Sequence, residues 1–340
     1  EAIKFRMEHQ GITQKELASF IGSPSKVSEV LNRKRPLTLK MIRALNKHLD
    51  IPAEILLGQE GKTLSEDFAD ISWEKFPITE MVNKNYFKSF HGTISEAKAM
   101  AEELIRPLIE NAKPLISTAP LCRQHVRSGS EIDWYALLAW HAKVLIETKN
   151  TLMNVQYSHK TINEKLIKEL VSLSVYDEGP KLAQEFLHRN GIFLIIEPNL
   201  SHTHIDGSTF WIKPDNPVIA LTIRYDRLDN FWFTLLHEIA HLKLHFDKSD
   251  YINFVDNLDF KSKDQIELEA DTFTKQALIP KKYWNNDILD NYNSDIIMEL
   301  AKKVGVHYAI VAGRIRWENN NYKLLSNWVG YRQVRNLFFN

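Results

Sequence analysis

The chain has 340 residues, 44% of them apolar and 25% charged, with 43 Lys or Arg balanced by 43 Asp or Glu. This is the composition of a globular protein of two or three domains, and it excludes a chain held open by net charge. The single cysteine, Cys122, excludes an internal disulfide and a cysteine zinc knuckle and fits a reducing cytoplasm; no run reaches the ~18 uncharged apolar residues of a membrane helix.

Glu1 opens the chain without a methionine and partway through a helical pattern, as expected where an N-terminal segment precedes it. Residues 1–58 then predict five short helices with sharp stops. Ile3, Phe5 and Met7 precede Gly11. Thr13-Gln-Lys-Glu16 is a capping box that opens a second helix, which stops at Gly22. Ser23-Pro24 starts the third, with Val27, Val30 and Leu31 on its core face. Leu39, Ile42, Leu45 and Leu49 mark a fourth, and Pro52 opens a fifth. Two helices joined by a tight glycine turn make a helix-turn-helix. Charge agrees: from Ser23 to His48, seven Lys or Arg face one acid, Glu29, a local net of +6 in a neutral chain. Ser25, Lys26, Ser28 and Glu29 are expected on the exposed face as base-edge readers, and Arg33, Lys34 and Arg35 as phosphate contacts. The stretches Ile12–Ala18 and Val27–Thr38 resemble the XRE-type helix-turn-helix of HigA-like antitoxins. That resemblance implies a homodimer on a palindromic double-stranded operator.

Residues 59–133 read as a helical spacer. Gly58-Gln-Glu-Gly61 is a linker, Trp73–Pro77 a turn with aromatic anchors, and Ile94–Leu115 helix up to Pro114. Ala119–Gly129 reads as loop, with Cys122 an incidental thiol.

From Trp134 the pattern tightens. Helices are expected at Trp134–Met153, Ile162–Leu173 and Gly179–Arg189. Strands follow at Gly191–Ile196, Gly207–Ile212 and Pro217–Ile223, the last two separated by the turn Pro214–Pro217. Asp229 is expected to cap the next helix. That helix carries His237-Glu238-Ile-Ala-His241, the H-E-x-x-H pattern. His237 and His241, four residues apart, stack one turn apart on one face, so both imidazoles can reach one metal ion. Glu238, one step round, is placed to act as a general base.

A third ligand comes from the helix through Ile266–Leu278. Glu267 and Asp271 are an i,i+4 pair, so Glu267 can bind metal while Asp271 orients an imidazole from behind. Glu269 is the rival, but it points about 200° away from Glu267 around the helix. His245 lies two turns from His237, and the metzincin glycine and third histidine are absent. Two histidines, one carboxylate and an open fourth position are the donor set of a catalytic zinc site, one ion per chain.

His202 and His204 read as an exposed loop pair rather than a second metal site. One of them, or Tyr225, is a candidate to steady an oxyanion. The C-terminal helices Ile296–Gly305 and Tyr308–Trp317 read as core packing. Strand pairs feeding an H-E-x-x-H helix, with a glutamate helix behind, give a minimal zincin layout over residues 134–340. The fold class is α+β, mainly α. An exposed strand edge there can hold an extended peptide.

Pro217–His241, Glu267–Asp271 with Leu278-Ile-Pro280, and Ile310–Arg314 resemble the ImmA/IrrE metallopeptidases fused to XRE modules. Matched motif to motif, the resemblance implies zinc on His237, His241 and Glu267, a catalytic Glu238, and a repressor-type protein as substrate. Together these readings give a DNA-binding regulator with a zinc endopeptidase domain. The alternative is a non-enzymatic repressor or antitoxin whose zinc fold is a sensor or a platform for a toxin or other partner.

Overall fold

A computed structural model describes residues 2–57, 71–111, 132–151, 153, 155–158, 160–213, 216–245, 260–285 and 287–339. The expected linker at 58–61, the loop at 119–129 with Cys122, and Pro214–Asp215 lie outside them. The chain divides into two compact units, Glu1–Glu110 and Asn111–Asn340. Among the described residues no helix is long and apolar enough to cross a membrane.

The first unit begins with the five expected helices: α1 Ala2–Gln10, α2 Gln14–Ile21, α3 Pro24–Leu31, α4 Leu39–Leu49 and α5 Ala53–Leu57. The Thr13–Glu16 capping box forms as read: the Glu16 amide bonds the Thr13 hydroxyl, and the Thr13 amide bonds the Glu16 carboxylate. Ser23 and Thr38 cap α3 and α4 with one bond each, their hydroxyls accepting from the Lys26 and Met41 amides. Leu17, Val27, Leu45 and Leu49, fully buried, form the centre of a small core.

Among the described residues three further α-helices follow: α6 Ile78–Asn83, α7 Ile94–Ala99 and α8 Ala101–Asn111. The single helix read from Ile94 is thus two, broken at Met100, and the second runs through Pro107. Acids from this segment dock on α4. The Leu39 amide donates to Glu103, Lys40 pairs with Glu74 at 2.7 Å, and Arg43 pairs with Glu102, itself buried and also bonded to Arg106. At least as far as residue 110 the segment is therefore part of a domain, and two cations counted into the local +6 are neutralised inside it.

The second unit is a three-stranded sheet between helices. Among the described residues its α-helices before the sheet are α9 Trp134–Asn150, α10 Glu164–Ser172 and α11 Gly179–Arg189. Strands β1 Phe193–Ile196, β2 Gly207–Lys213 and β3 Asn216–Leu221 take the order β1-β3-β2. β3 is central, parallel to β1 (Leu194 opposite Ile219) and antiparallel to β2 (Thr209 opposite Ile219). β1 is buried along its length, as a strand covered on both faces must be. After the sheet, among the described residues, the longer helices are α12 Leu228–Leu244, α13 Phe260–Leu278, α14 Ser294–Val304 and α15 Tyr308–Glu318. α12 is apolar almost all round and correspondingly buried; Trp232, Leu235, Leu236 and Ile239 share one core with Leu194, Ile219 and Leu221 of the sheet.

The start of α12 corrects one expectation. Asp229 lies inside the first turn and does not cap it: the residue before the helix is Arg227, whose side chain makes no cap bond. The orphan amides of Leu228 and Asp229 instead donate to the carbonyls of Gly330 and Val329. Asp229 is buried and bonded by Arg227 at 2.9 and 3.3 Å; burial pushes its carboxyl above the ordinary value, and Arg227 offsets only part of that. α15 packs against α12 here because Gly313 has no side chain: a Cβ would lie 2.6 Å from the Asp229 Cβ. Gly313→Ala should therefore force the two helices apart and cost about 1–3 kcal/mol of stability, measurable by denaturant unfolding.

Candidate metal centre and candidate DNA-binding face

α12 and α13 pack against each other, and their facing side chains build the centre. His237 Nε2 lies 2.9 Å from His241 Nε2. Glu267 Oε2 is 3.2 Å from His237 Nε2, and its Oε1 is 3.4 Å from His241 Nε2. With metal–nitrogen bonds of ~2.0–2.1 Å, the edges of a tetrahedron are about 3.3–3.4 Å, so the three donors have the spacing of one zinc ion's ligands. Both imidazoles are buried, each 5% exposed.

His237 Nδ1 lies 3.0 Å from Asp271 Oδ1. An ionised carboxylate only accepts, so Nδ1 carries a proton, and Asp271 fixes the ring with Nε2 turned toward His241 and Glu267. Two imidazole nitrogens and a carboxylate lying 2.9–3.4 Å from one another are the N/O donors that zinc takes. The donor set therefore suits a divalent ion. Burial pushes the Glu267 carboxyl up, but the two imidazoles outweigh it and hold the group well below the usual carboxylate range.

Glu269 and His245 stay outside this cluster. Glu269 is exposed and accepts from Gln265, with His245 Nδ1 at 3.8 Å. Glu238 is 7% exposed and turns toward β2: the Thr209 hydroxyl donates to its Oε2 at 2.8 Å, and its Oε1 passes over Gly207. Sequence reasoning missed both partners. Their signal, two positions on one face of an edge strand, needs the sheet register to be seen.

Arg314, on α15, closes the far end of α13. Its Nη1 donates to the carbonyls of Ile279 and Lys275, and its guanidinium lies over the Trp284 ring, 4.1 Å from the centroid. Cationic capping of helix carbonyls anchors the helix that carries Glu267 and Asp271. The oxyanion candidates are less built. Tyr225 is exposed, with its hydroxyl accepting from Arg224, and His202 and His204 have rings 6.1 Å apart at a loop where both backbones adopt positive φ.

On the helix-turn-helix, Ser25, Ser28, Arg33 and Lys34 are exposed, whereas Lys26, Glu29 and Arg35 are half-buried. Arg35 donates to Glu29, which also accepts from Ser25, and the Arg35 bond holds the Glu29 carboxyl below its ordinary value. Arg35 and Glu29 are thus engaged with each other, not with solvent alone. Arg33 sits in the left-handed region (φ 57°) where α3 ends and the chain turns.

The zinc-type donor set, a neighbouring glutamate and a small sheet define a metallopeptidase-like domain, and the first unit carries a DNA-binding module. Residues 189–316 match the family described as the IrrE N-terminal-like domain, and residues 3–56 match the helix-turn-helix family. The chain is thus a fusion of these two domain types. No curated protein and no solved structure matches it.

Proposed function

We propose that this protein is a DNA-binding transcriptional regulator whose C-terminal domain is a zinc endopeptidase, acting on a repressor or another partner protein. The observation that carries this reading is the convergence of His237, His241 and Glu267 on one point, with Glu238 beside them on the same helix. When bound, zinc would polarise a scissile carbonyl and make a water more acidic. Glu238 would accept that water's proton and deliver it to the leaving amine. Asp271 would keep His237 in the tautomer that turns Nε2 inward. An extended segment of the substrate would lie along β2, taking backbone hydrogen bonds from its edge. A purely structural or sensory zinc site needs no general base, so a glutamate held beside the ligands favours the enzyme over a sensor platform.

Residues 1–58 would bind a palindromic operator as a homodimer, with Ser25, Lys26 and Ser28 reading base edges and Arg33 and Lys34 holding phosphates. Glu29 and Arg35 would act as a pair, with the arginine reaching phosphate only by leaving the glutamate. Arg33→Ala or Lys34→Ala should weaken binding to every duplex alike and flatten the salt slope by about 1 per lost contact. Ser25→Ala or Lys26→Ala should change the preferred sequence. Footprinting and salt titration check both; an unchanged slope after Arg33, Lys34 and Arg35 are all removed would make the cluster a solvated face. Cleavage by the zinc-loaded wild type, lost in Glu238→Gln, tests the enzyme.

A further inference from the structure

We infer that Thr209 is a positioning residue for Glu238, and that Gly207 supplies the space the Glu238 carboxylate fills; this rests on Glu238 acting as the general base. Side chains alternate along a strand, so residues 207 and 209 share one face of β2 while Ser208 takes the other. On the first face, the Thr209 hydroxyl lies 2.8 Å from Glu238 Oε2 and 3.3 Å from the Glu238 carbonyl oxygen. A Cβ built on Gly207 would stand 2.7 Å from Glu238 Oε1 and 2.9 Å from its Cγ, closer than real side chains approach. One carboxylate oxygen is therefore held by a donor, and the other passes where only glycine leaves room.

The strand that does this is itself fixed from behind. Ser208 Oγ is 3.1 Å from His141 Nε2, and His141 Nδ1 is 3.0 Å from the Leu137 carbonyl. A carbonyl cannot donate, so Nδ1 carries the proton and Nε2 accepts from the Ser208 hydroxyl. His141 is 5% exposed and belongs to α9, which also reaches the sheet where Trp140 Nε1 bonds the Glu197 carbonyl. β2 is thus tied to α9 through Ser208 and to α12 through Thr209.

A glutamate has three side-chain torsions, and a base misplaced by ~1 Å can cost on the order of 10²-fold in rate. Fixing one oxygen and shaping the space for the other leaves the carboxylate a single placement. Thr209 acts through Glu238 and needs no contact with substrate.

The test uses the full-length, zinc-loaded chain with fluorescein-labelled β-casein as probe. Thr209→Val removes the donor while keeping shape and strand propensity. It should lower kcat about 10–100-fold with KM nearly unchanged, and with zinc content and Tm at the wild-type level. Thr209→Ser should recover most of the loss, and Gly207→Ala should lower kcat again. In parallel, crystal structures of wild type and Thr209→Val should show the Glu238 carboxylate displaced in the variant. A wild-type kcat in Thr209→Val, or Thr209→Ser no better than Thr209→Val with zinc retained, would overturn the assignment. So would an unmoved Glu238 in the Thr209→Val crystal. If the wild type leaves casein intact, the failure belongs to the peptidase reading, and the crystal structures alone judge the positioning.

Discussion

Metal analysis of the purified His237→Ala chain is expected to find almost no zinc, against about one ion per chain in the wild type. Removing His237 leaves one imidazole and one carboxylate, which cannot hold the ion against buffer, and His241→Ala should behave alike. Glu267→Gln should weaken binding strongly, since a neutral amide replaces the charge that faces both Nε2 atoms. Glu269→Gln should leave zinc in place, because that carboxylate lies on the exposed side with Gln265. Asp271→Ala should fall between, about 10–100-fold weaker, as is typical when the group orienting a ligating imidazole is lost. Full zinc in Glu267→Gln with loss in Glu269→Gln would overturn the ligand set.

Glu238→Gln should lower turnover by ~10²–10⁴-fold and change nothing else. Glu238 is not among the three clustered donors, and glutamine keeps its size, so zinc content, folding and operator binding should match the wild type. Only the proton acceptor is gone, and a positioned general base contributes typically ~10²–10⁴-fold. Cells carrying this variant should fail to clear the target protein while the operator remains occupied in vitro. If the domain were a sensor instead, Glu238→Gln would regulate normally and His237→Ala would not. Target half-life and the derepressed transcript, measured side by side in both variants, separate the two.

Local pattern made much of this legible. One capping box, Ser and Thr caps, glycine stops and apolar spacing delimit the helices of residues 1–57 because those signals act within one turn of chain. The i,i+4 histidines and the Glu267–Asp271 pair are likewise set by helix geometry, and the structure brings Glu267 to both histidines and Asp271 to the other nitrogen of His237. Contacts between distant residues were not legible. Asp229 has the chemistry of a cap, but the carbonyls of Val329 and Gly330 arrive first from the far end of the chain. Lys40 and Arg43 count toward the basic surplus of residues 23–48 until Glu74 and Glu102 are placed against them. Gly207 and Thr209 gain meaning only once β2 is registered against β3 and faces α12.

The central claim is that His237, His241 and Glu267 together hold one zinc ion, and anomalous diffraction at the zinc absorption edge tests it most directly. Crystals of the full chain grown with zinc should give one strong anomalous peak about 2.0–2.2 Å from His237 Nε2, His241 Nε2 and a Glu267 oxygen. A chain whose zinc peak lies elsewhere, at His202 and His204 for example, with these three side chains still bonded to one another, would contradict it.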